Sequence, residues 1–144
     1  RPSQAAIALR RGGPDAGDPN HDTDHPLKSA AEALVGPGVT LLDLHGMADR
    51  EHDVIIGIGA APTARSFRLA ELFANAATRH GIAAVVADDD TGFTACGPAT
   101  MTSWALARGA DALQFEIAHN LRTVRAEPAR KIALLRAFTE VFAA

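Results

Sequence analysis

The sequence contains a single cysteine, Cys96, in 144 residues. One thiol excludes an internal disulfide and any zinc site that is built from several cysteines. It is typical of a protein in a reducing compartment, so we expect a cytoplasmic location. No basic partner is placed to activate Cys96 as a nucleophile, and we expect it to be a small buried side chain.

Basic clusters and long apolar runs are also lacking. The formal net charge is −3, and the basic residues are scattered apart from the pair Arg10 and Arg11 and those of the last predicted helix. This charge pattern provides no electrostatic basis for binding DNA or RNA. No apolar run approaches the roughly 20 residues that a membrane helix needs. We therefore expect a soluble protein without a nucleic-acid or membrane partner.

The chain does contain enough apolar residues, 47%, for one domain over residues 1–144. Short apolar runs alternate with longer periodic segments, which predicts an α/β domain with a mainly parallel or mixed sheet flanked by helices. The predicted strands are Val39–His45, Asp53–Gly59, Ile82–Asp88 and Ala112–Ile117, with Ala5–Arg10 as a weaker fifth. The predicted helices are Pro26–Val35, Ala64–His80, Pro98–Arg108 and Pro128–Phe142.

Polar side chains interrupt two of these strands. Asp43 and His45 lie on one face near the end of the first, and Gln114 and Glu116 share one face of the last. A carboxylate in an apolar run has to be paired, protonated or functional. Either these strands open onto a site, or the last one lies at the edge of the sheet with one face exposed to solvent. Asp43 either orients the imidazole of His45 or makes a local turn hydrogen bond.

The segments LLDLHGM and ALQFEIAHNLR resemble the N-formylglutamate amidohydrolase-like group of zinc-dependent hydrolases, relatives of the zinc carboxypeptidases and poly-γ-glutamate hydrolases. The similarity spans about Asp15 to Arg122. In that group a D-x-H-G strand end supplies a metal-binding histidine, which corresponds to His45. A late Q-x-E segment supplies the catalytic glutamate, which corresponds to Glu116. The segment GDPNHDTDHP, with Asn20, is similar to the group's Asp-x-Asn segment.

The resemblance implies a phosphorylase/hydrolase-like fold and a metal-dependent amidohydrolase. Its substrate would be an N-acyl or N-formyl amino acid, or a related small amide that bears a carboxylate. Glu116 would deprotonate the attacking water and pass the proton to the leaving nitrogen. Arg122 or Arg50 would bind the substrate carboxylate through the guanidinium fork, and Asn20 would contribute to substrate binding.

One part of the group's pattern is missing: no His-x-x-Glu pair precedes His45. Zinc needs about three protein ligands, so we expect zinc binding only with further ligands upstream of Arg1. Two alternatives stay open: the chain lacks an N-terminal part, or it is a non-catalytic α/β binding module or degenerate family member. His21 and His25 are possible substitute ligands, but their context predicts solvated loop residues.

A phosphate- or nucleotide-binding enzyme is a third alternative. The segment GIGAAPTARS, residues 57–66, follows a predicted strand and leads into a predicted helix. It matches neither G-x-G-x-x-G nor the P-loop, because Pro62 stands at the position of the third glycine and no Gly-Lys follows. An anion at this helix start is the prediction that would support this alternative.

Overall fold

A computed structural model of the chain describes residues 19–123 and 125–143. The weaker predicted strand, Ala5–Arg10, lies outside these residues. Along the described chain the elements are α1 (Pro26–Ala31), β1 (Thr40–Met47), β2 (Val54–Gly57), α2 (Ala64–Arg79), β3 (Ala84–Val86), α3 (Met101–Leu106), β4 (Asp111–Ala118), α4 (His119–Arg122) and α5 (Pro128–Phe142). None of the helices among these residues has the length and apolar character that crossing a bilayer requires.

The strands form one open mixed sheet in the order β1-β4-β2-β3. β1 runs parallel to β4, and β2 runs parallel to β3, whereas β4 and β2 are antiparallel. The predicted α/β class, with a mixed sheet flanked by helices, is confirmed. β4 pairs with a strand on each side, so the alternative that Gln114 and Glu116 lie on an edge strand is wrong.

The two longest helices have the ends that their sequences predict. α5 spans Pro128–Phe142, and proline suits the first turn because that turn leaves its N–H groups unpaired. α2 begins after Thr63, whose side chain accepts a hydrogen bond from the backbone N–H of Ser66. It ends before Gly81, which has a φ of 75° and so reverses the chain at little steric cost.

The predicted helices Pro26–Val35 and Pro98–Arg108 are shorter in the structure than predicted. α3 begins at Met101 rather than at Pro98, because the side chain of Thr100 caps its first turn. α1 ends at Ala31, before its predicted end at Val35. The single turn α4 was not predicted, since one helical turn is too short to produce a recognisable apolar period.

Helices α2 and α5 cover one face of the sheet with aromatic rings. The ring of Phe73 on α2 lies 4.8 Å from that of Phe115 on β4, measured between centroids. It lies 4.6 Å from Phe138 and 6.2 Å from Phe142, both on α5. Phe73 and Phe115 are completely buried, so these rings form the centre of the main core.

The other face of the sheet carries two smaller apolar clusters. One contains Ala112 of β4 and Trp104 of α3, with Leu41 of β1 packed against it. The second contains Met47 and Ala118, at the carboxyl ends of β1 and β4. Side chains alternate along a strand, so the residues that lie between these clusters on the same face are Asp43 and His45 of β1 and Gln114 and Glu116 of β4. All four are polar. This polar stretch is where the candidate site lies.

Adding a side chain at Gly57 should disturb the packing of β2 against the loop that contains Phe93. A Cβ built on Gly57 would lie 2.4 Å from the backbone oxygen of Phe93, which cannot rotate away. We expect Gly57→Ala to lower the free energy of unfolding by about 1–3 kcal/mol, the usual cost of overpacking. Gly36→Ala is the control, since nothing lies within 4 Å of its added Cβ. Equal unfolding free energies for the two variants in urea would contradict this packing.

Candidate functional site

Four polar residues form a block on neighbouring strands β1 and β4. The parallel register places Asp43 opposite Gln114 and His45 opposite Glu116. Opposite residues of paired strands project from the same face of the sheet, here the face away from the aromatic core. The polar positions that interrupt two apolar strands are therefore neighbours in space. The structure brings His45 and Glu116 side by side, as the hydrolase interpretation requires.

His45 is engaged by two polar groups at one ring nitrogen. Its Nε2 lies 2.9 Å from Nδ2 of Asn20 and 2.9 Å from Oδ1 of Asp43. The amide of Asn20 is oriented by the backbone N–H of Met101, which donates to its Oδ1 at 2.7 Å. Asn20 therefore presents an N–H to the imidazole, so it touches the predicted metal-binding histidine directly.

Glu116 is nearly buried, with 6% of its surface exposed. Burial raises the pKa of its carboxyl group above the ordinary value, while neighbouring His45 acts in the opposite direction. Asp43 raises the pKa further, whereas the hydrogen bond from Gln114 and the charge of Arg50 lower it. Nε2 of Gln114 donates to Oε1 of Glu116 at 3.0 Å. Burial is the largest of these effects, and the pKa of the carboxyl group is raised.

Lys28 is a buried charge next to this block, and no sequence pattern predicted its burial. The residue is 2% exposed, and its Nζ donates to the backbone oxygens of Asp22 and Ala99 at 2.5 Å each. Burial lowers the pKa of the ammonium group, and the charges of Asp22, Asp24 and Asp43 oppose that effect. A lysine in a short surface helix is ordinarily solvated, so only the tertiary structure identifies this one as buried.

The two predicted arginines occupy different places. The guanidinium carbon of Arg50 lies 4.7 Å from the ring centroid of Phe93, and its charge acts on Glu116. Arg122 instead lies against Gly46 and donates to the backbone oxygens of Ile117 and Met47. Gly46 alternates with His45 along β1 and therefore faces the opposite side of the sheet. The structure brings Arg50, and not Arg122, towards the polar block.

Two expectations about individual residues are wrong. Cys96 is exposed rather than buried, because it lies in an irregular loop before α3. His25 is 2% exposed rather than solvated, because its Nδ1 caps α1 by accepting a hydrogen bond from the N–H of Leu27. His21 is exposed, as predicted.

The start of α2 already carries a negative charge. Thr63 caps the helix and donates its hydroxyl to Oδ1 of Asp111 at 2.5 Å. Oδ2 of the same carboxylate lies 3.3 Å from Nε of Arg65. A carboxylate thus occupies the place where the phosphate-binding alternative puts an anion, which argues against that alternative.

Zinc coordination requires more ligands than the block provides. In the ranges 19–123 and 125–143, no three His, Cys, Asp or Glu side chains are grouped so as to hold a metal ion. His45 is the predicted ligand, and both Asn20 and Asp43 contact its Nε2. The described residues alone therefore do not fit a zinc site, which needs about three protein ligands and an open position.

The pKa of Glu116 predicts a pH-dependent stability. Its folded-state pKa lies above the ordinary value of 4.5, so its contribution is fully present below that value and lost as the pH rises through the folded pKa. Glu116→Gln, which resembles the protonated acid, should gain stability relative to the unmodified protein as the pH rises above 4.5. Urea unfolding at several pH values measures this difference. A difference that shrinks towards high pH would contradict the desolvation of Glu116.

Two solved structures share this fold. A bacteriophage poly-gamma-glutamate hydrolase superposes with a TM-score of 0.59 and 19% identity, over 84% of this chain and 60% of its own. A structure described as "YNDL-apo (Zinc-free)" gives 0.52 and 17%, over 83% of this chain and 63% of its own. No family model matches the sequence, and no curated protein matches it.

These similarities concern the fold. The identities are below 25%, and the chain spans about 60% of the length of either structure. These similarities show that the described chain shares its fold with a poly-gamma-glutamate hydrolase. The narrower assignment to the N-formylglutamate amidohydrolases stays a prediction.

Proposed function

We propose that this chain carries the catalytic face of a zinc-dependent hydrolase that cleaves an amide bond in a molecule bearing a carboxylate. An N-formyl or other N-acyl amino acid is the substrate class that the sequence motifs favour. The observation that carries the proposal is the pairing of His45 with Glu116 on neighbouring parallel strands. The shared fold with a poly-gamma-glutamate hydrolase supports the same reaction class.

Glu116 has the properties of a general base in this reaction. Burial raises its pKa towards the operating range of a base that accepts a proton from water and returns it to the leaving nitrogen. Gln114 donates to one of its oxygens and so fixes the carboxylate, leaving the other oxygen for the proton. Because His45 is a single ligand among the described residues, the proposal requires further zinc ligands from outside them.

Arg50 and Asn20 are the proposed substrate-binding residues. The guanidinium of Arg50 lies over the ring of Phe93, and its charge lowers the pKa of Glu116, so it is near enough to the polar block to bind a substrate carboxylate. Asn20 provides a fixed amide beside His45. Arg122 is the alternative carboxylate-binding residue, but its guanidinium already donates to backbone oxygens of Ile117 and Met47, so the proposal assigns the carboxylate to Arg50.

The test uses the protein in its full natural length, stripped of metal and then titrated with zinc. N-formylglutamate, N-acetylglutamate and poly-γ-glutamate are supplied as substrates, and the released amine is measured. We expect hydrolysis to require about one zinc per chain. Arg50→Gln should raise KM by roughly 10- to 100-fold, the loss of a charge-assisted hydrogen bond pair, while Arg122→Gln changes it little.

A non-catalytic binding module is the competing interpretation, and the same experiment separates the two. A binding module would hold these carboxylates without releasing amine at any zinc concentration. Calorimetry with N-acetylglutamate therefore accompanies the assay. Binding without hydrolysis in the zinc-loaded protein would overturn the enzymatic proposal and favour the binding module.

A further inference from the structure

We propose that Lys28 is a positioning residue that holds Asn20 against His45. This inference rests on the proposed function, in which Asn20 and His45 face the substrate. Lys28 is one of the two lysines of the chain, the other being Lys131. It lies on α1, outside the strands that carry His45 and Glu116, and none of the sequence motifs includes it.

Lys28 joins two segments that are far apart in the sequence. Its Nζ donates both to the backbone oxygen of Asp22, close to Asn20 in the chain, and to that of Ala99, just before α3. Asn20 makes a second connection between the same segments by accepting from the N–H of Met101. Two hydrogen bonds donated by Lys28 and one accepted by Asn20 thus connect the loop that contains Asp22 with the start of α3.

This connection determines where the amide of Asn20 points. Its Oδ1 is held by Met101, so its Nδ2 is directed to Nε2 of His45 at 2.9 Å. If the loop moved relative to α3, the amide would lose the Met101 contact that orients it. A displacement of about 1 Å is sufficient to impair a catalytic arrangement. Lys28 therefore acts on His45 through Asn20, without touching the reacting atoms.

Burying the ammonium group of Lys28 costs free energy, which argues that this residue has a specific role. An apolar side chain of similar size would avoid the desolvation of the charge. The carboxylate of Asp43, which contacts His45, is among the charges that stabilise Lys28. Its Oδ2 is buried and has no hydrogen-bond partner among the residues that the structure describes. An ammonium group has three N–H bonds, of which the backbone oxygens of Asp22 and Ala99 use two.

The test compares Lys28→Met with Lys131→Met in the full-length protein loaded with zinc. Methionine keeps most of the unbranched side chain, without its terminal nitrogen, and so removes the charge and the donors. We expect Lys28→Met to lower kcat at least tenfold, while KM changes less than threefold and zinc stoichiometry stays the same. Lys131 lies on α5, outside the segments that hold Asn20 and His45, and should be replaceable without effect on either constant.

Nuclear magnetic resonance provides a readout that does not depend on activity. The side-chain ¹⁵N shifts of Asn20 and His45 should change in Lys28→Met, while the backbone amide shifts of α2 and α5 stay as in the unmodified protein. If Lys28→Met fails to fold, Lys28→Gln, which keeps a hydrogen-bond donor, is measured in the same way. Unchanged Asn20 and His45 shifts in a folded variant would overturn the proposal.

The two proposals can fail separately. An unmodified protein that hydrolyses none of the substrates would remove the proposed function, but the resonances of Asn20 and His45 would still decide the role of Lys28. An active protein whose kcat is the same in Lys28→Met would remove only the positioning role. Equal losses of kcat in Lys28→Met and Lys131→Met would indicate a general effect of removing charge, and would also overturn it.

Discussion

Glu116→Gln should lower kcat for amide hydrolysis by about 10²- to 10⁴-fold, the usual contribution of a general base. Glutamine keeps the size of the side chain and can still accept the hydrogen bond from Gln114, but it cannot take a proton from water. KM and zinc stoichiometry should be nearly unchanged, because the proposal assigns Glu116 to proton transfer and not to coordination. Steady-state kinetics and metal analysis of the same preparation measure all three quantities.

Glu71→Gln is the matched control for this effect. Glu71 is exposed on α2, away from the polar block, so its replacement removes the same charge without changing the site. We expect full activity from this variant. A Glu116→Gln enzyme with more than a tenth of the normal kcat would exclude Glu116 as the base, whatever its stability.

Phe73→Ala should have the largest effect on stability. The ring is fully buried and lies within 6.2 Å of the rings of Phe115, Phe138 and Phe142. Its removal would leave a cavity between α2, α5 and the sheet, and we expect the free energy of unfolding to fall by about 3–5 kcal/mol. Urea or thermal unfolding at one pH measures the loss.

The control lies on the same helix. Phe67 is 46% exposed, so Phe67→Ala removes the same atoms without opening a cavity in the aromatic core. Its effect should stay below about 1 kcal/mol, since little apolar area returns to water. Similar losses for the two variants would mean that the four rings are not the centre of the core.

Local features of the sequence were sufficient to predict several elements and which side chains of a strand share a face. Alternation in ALQFEIA predicted that Gln114 and Glu116 share a face, because the side-chain period of a strand is a property of the backbone alone. Pro128 indicated the start of α5, since proline suits only the first turn of a helix. The same alternation singled out His45 and Glu116 as polar residues near the ends of apolar strands, whereas their roles as metal ligand and base came from the family resemblance and stay predictions.

Only the tertiary structure decided which strands pair. β4 follows β2 and β3 in the sequence, yet it lies between β1 and β2, and this order places His45 opposite Glu116. Pairing between distant strands depends on how their faces pack, which no local pattern records. The antiparallel pairing of β2 with β4 was likewise invisible in the sequence, because an apolar run has no direction.

Lys28 and Arg122 give the clearest contrast between sequence and structure. A helical lysine is expected in water, yet the loop and the start of α3 close around Lys28 and supply backbone oxygens to its ammonium group. Arg122 follows β4 closely in the sequence, yet its side chain lies against Gly46. Gly46 faces away from His45 because side chains alternate along β1. The sequence by itself determined the class of the fold and the residues with reactive side chains. Only the tertiary structure decided which side chains contact these residues, because contacts between distant segments depend on packing and not on sequence spacing.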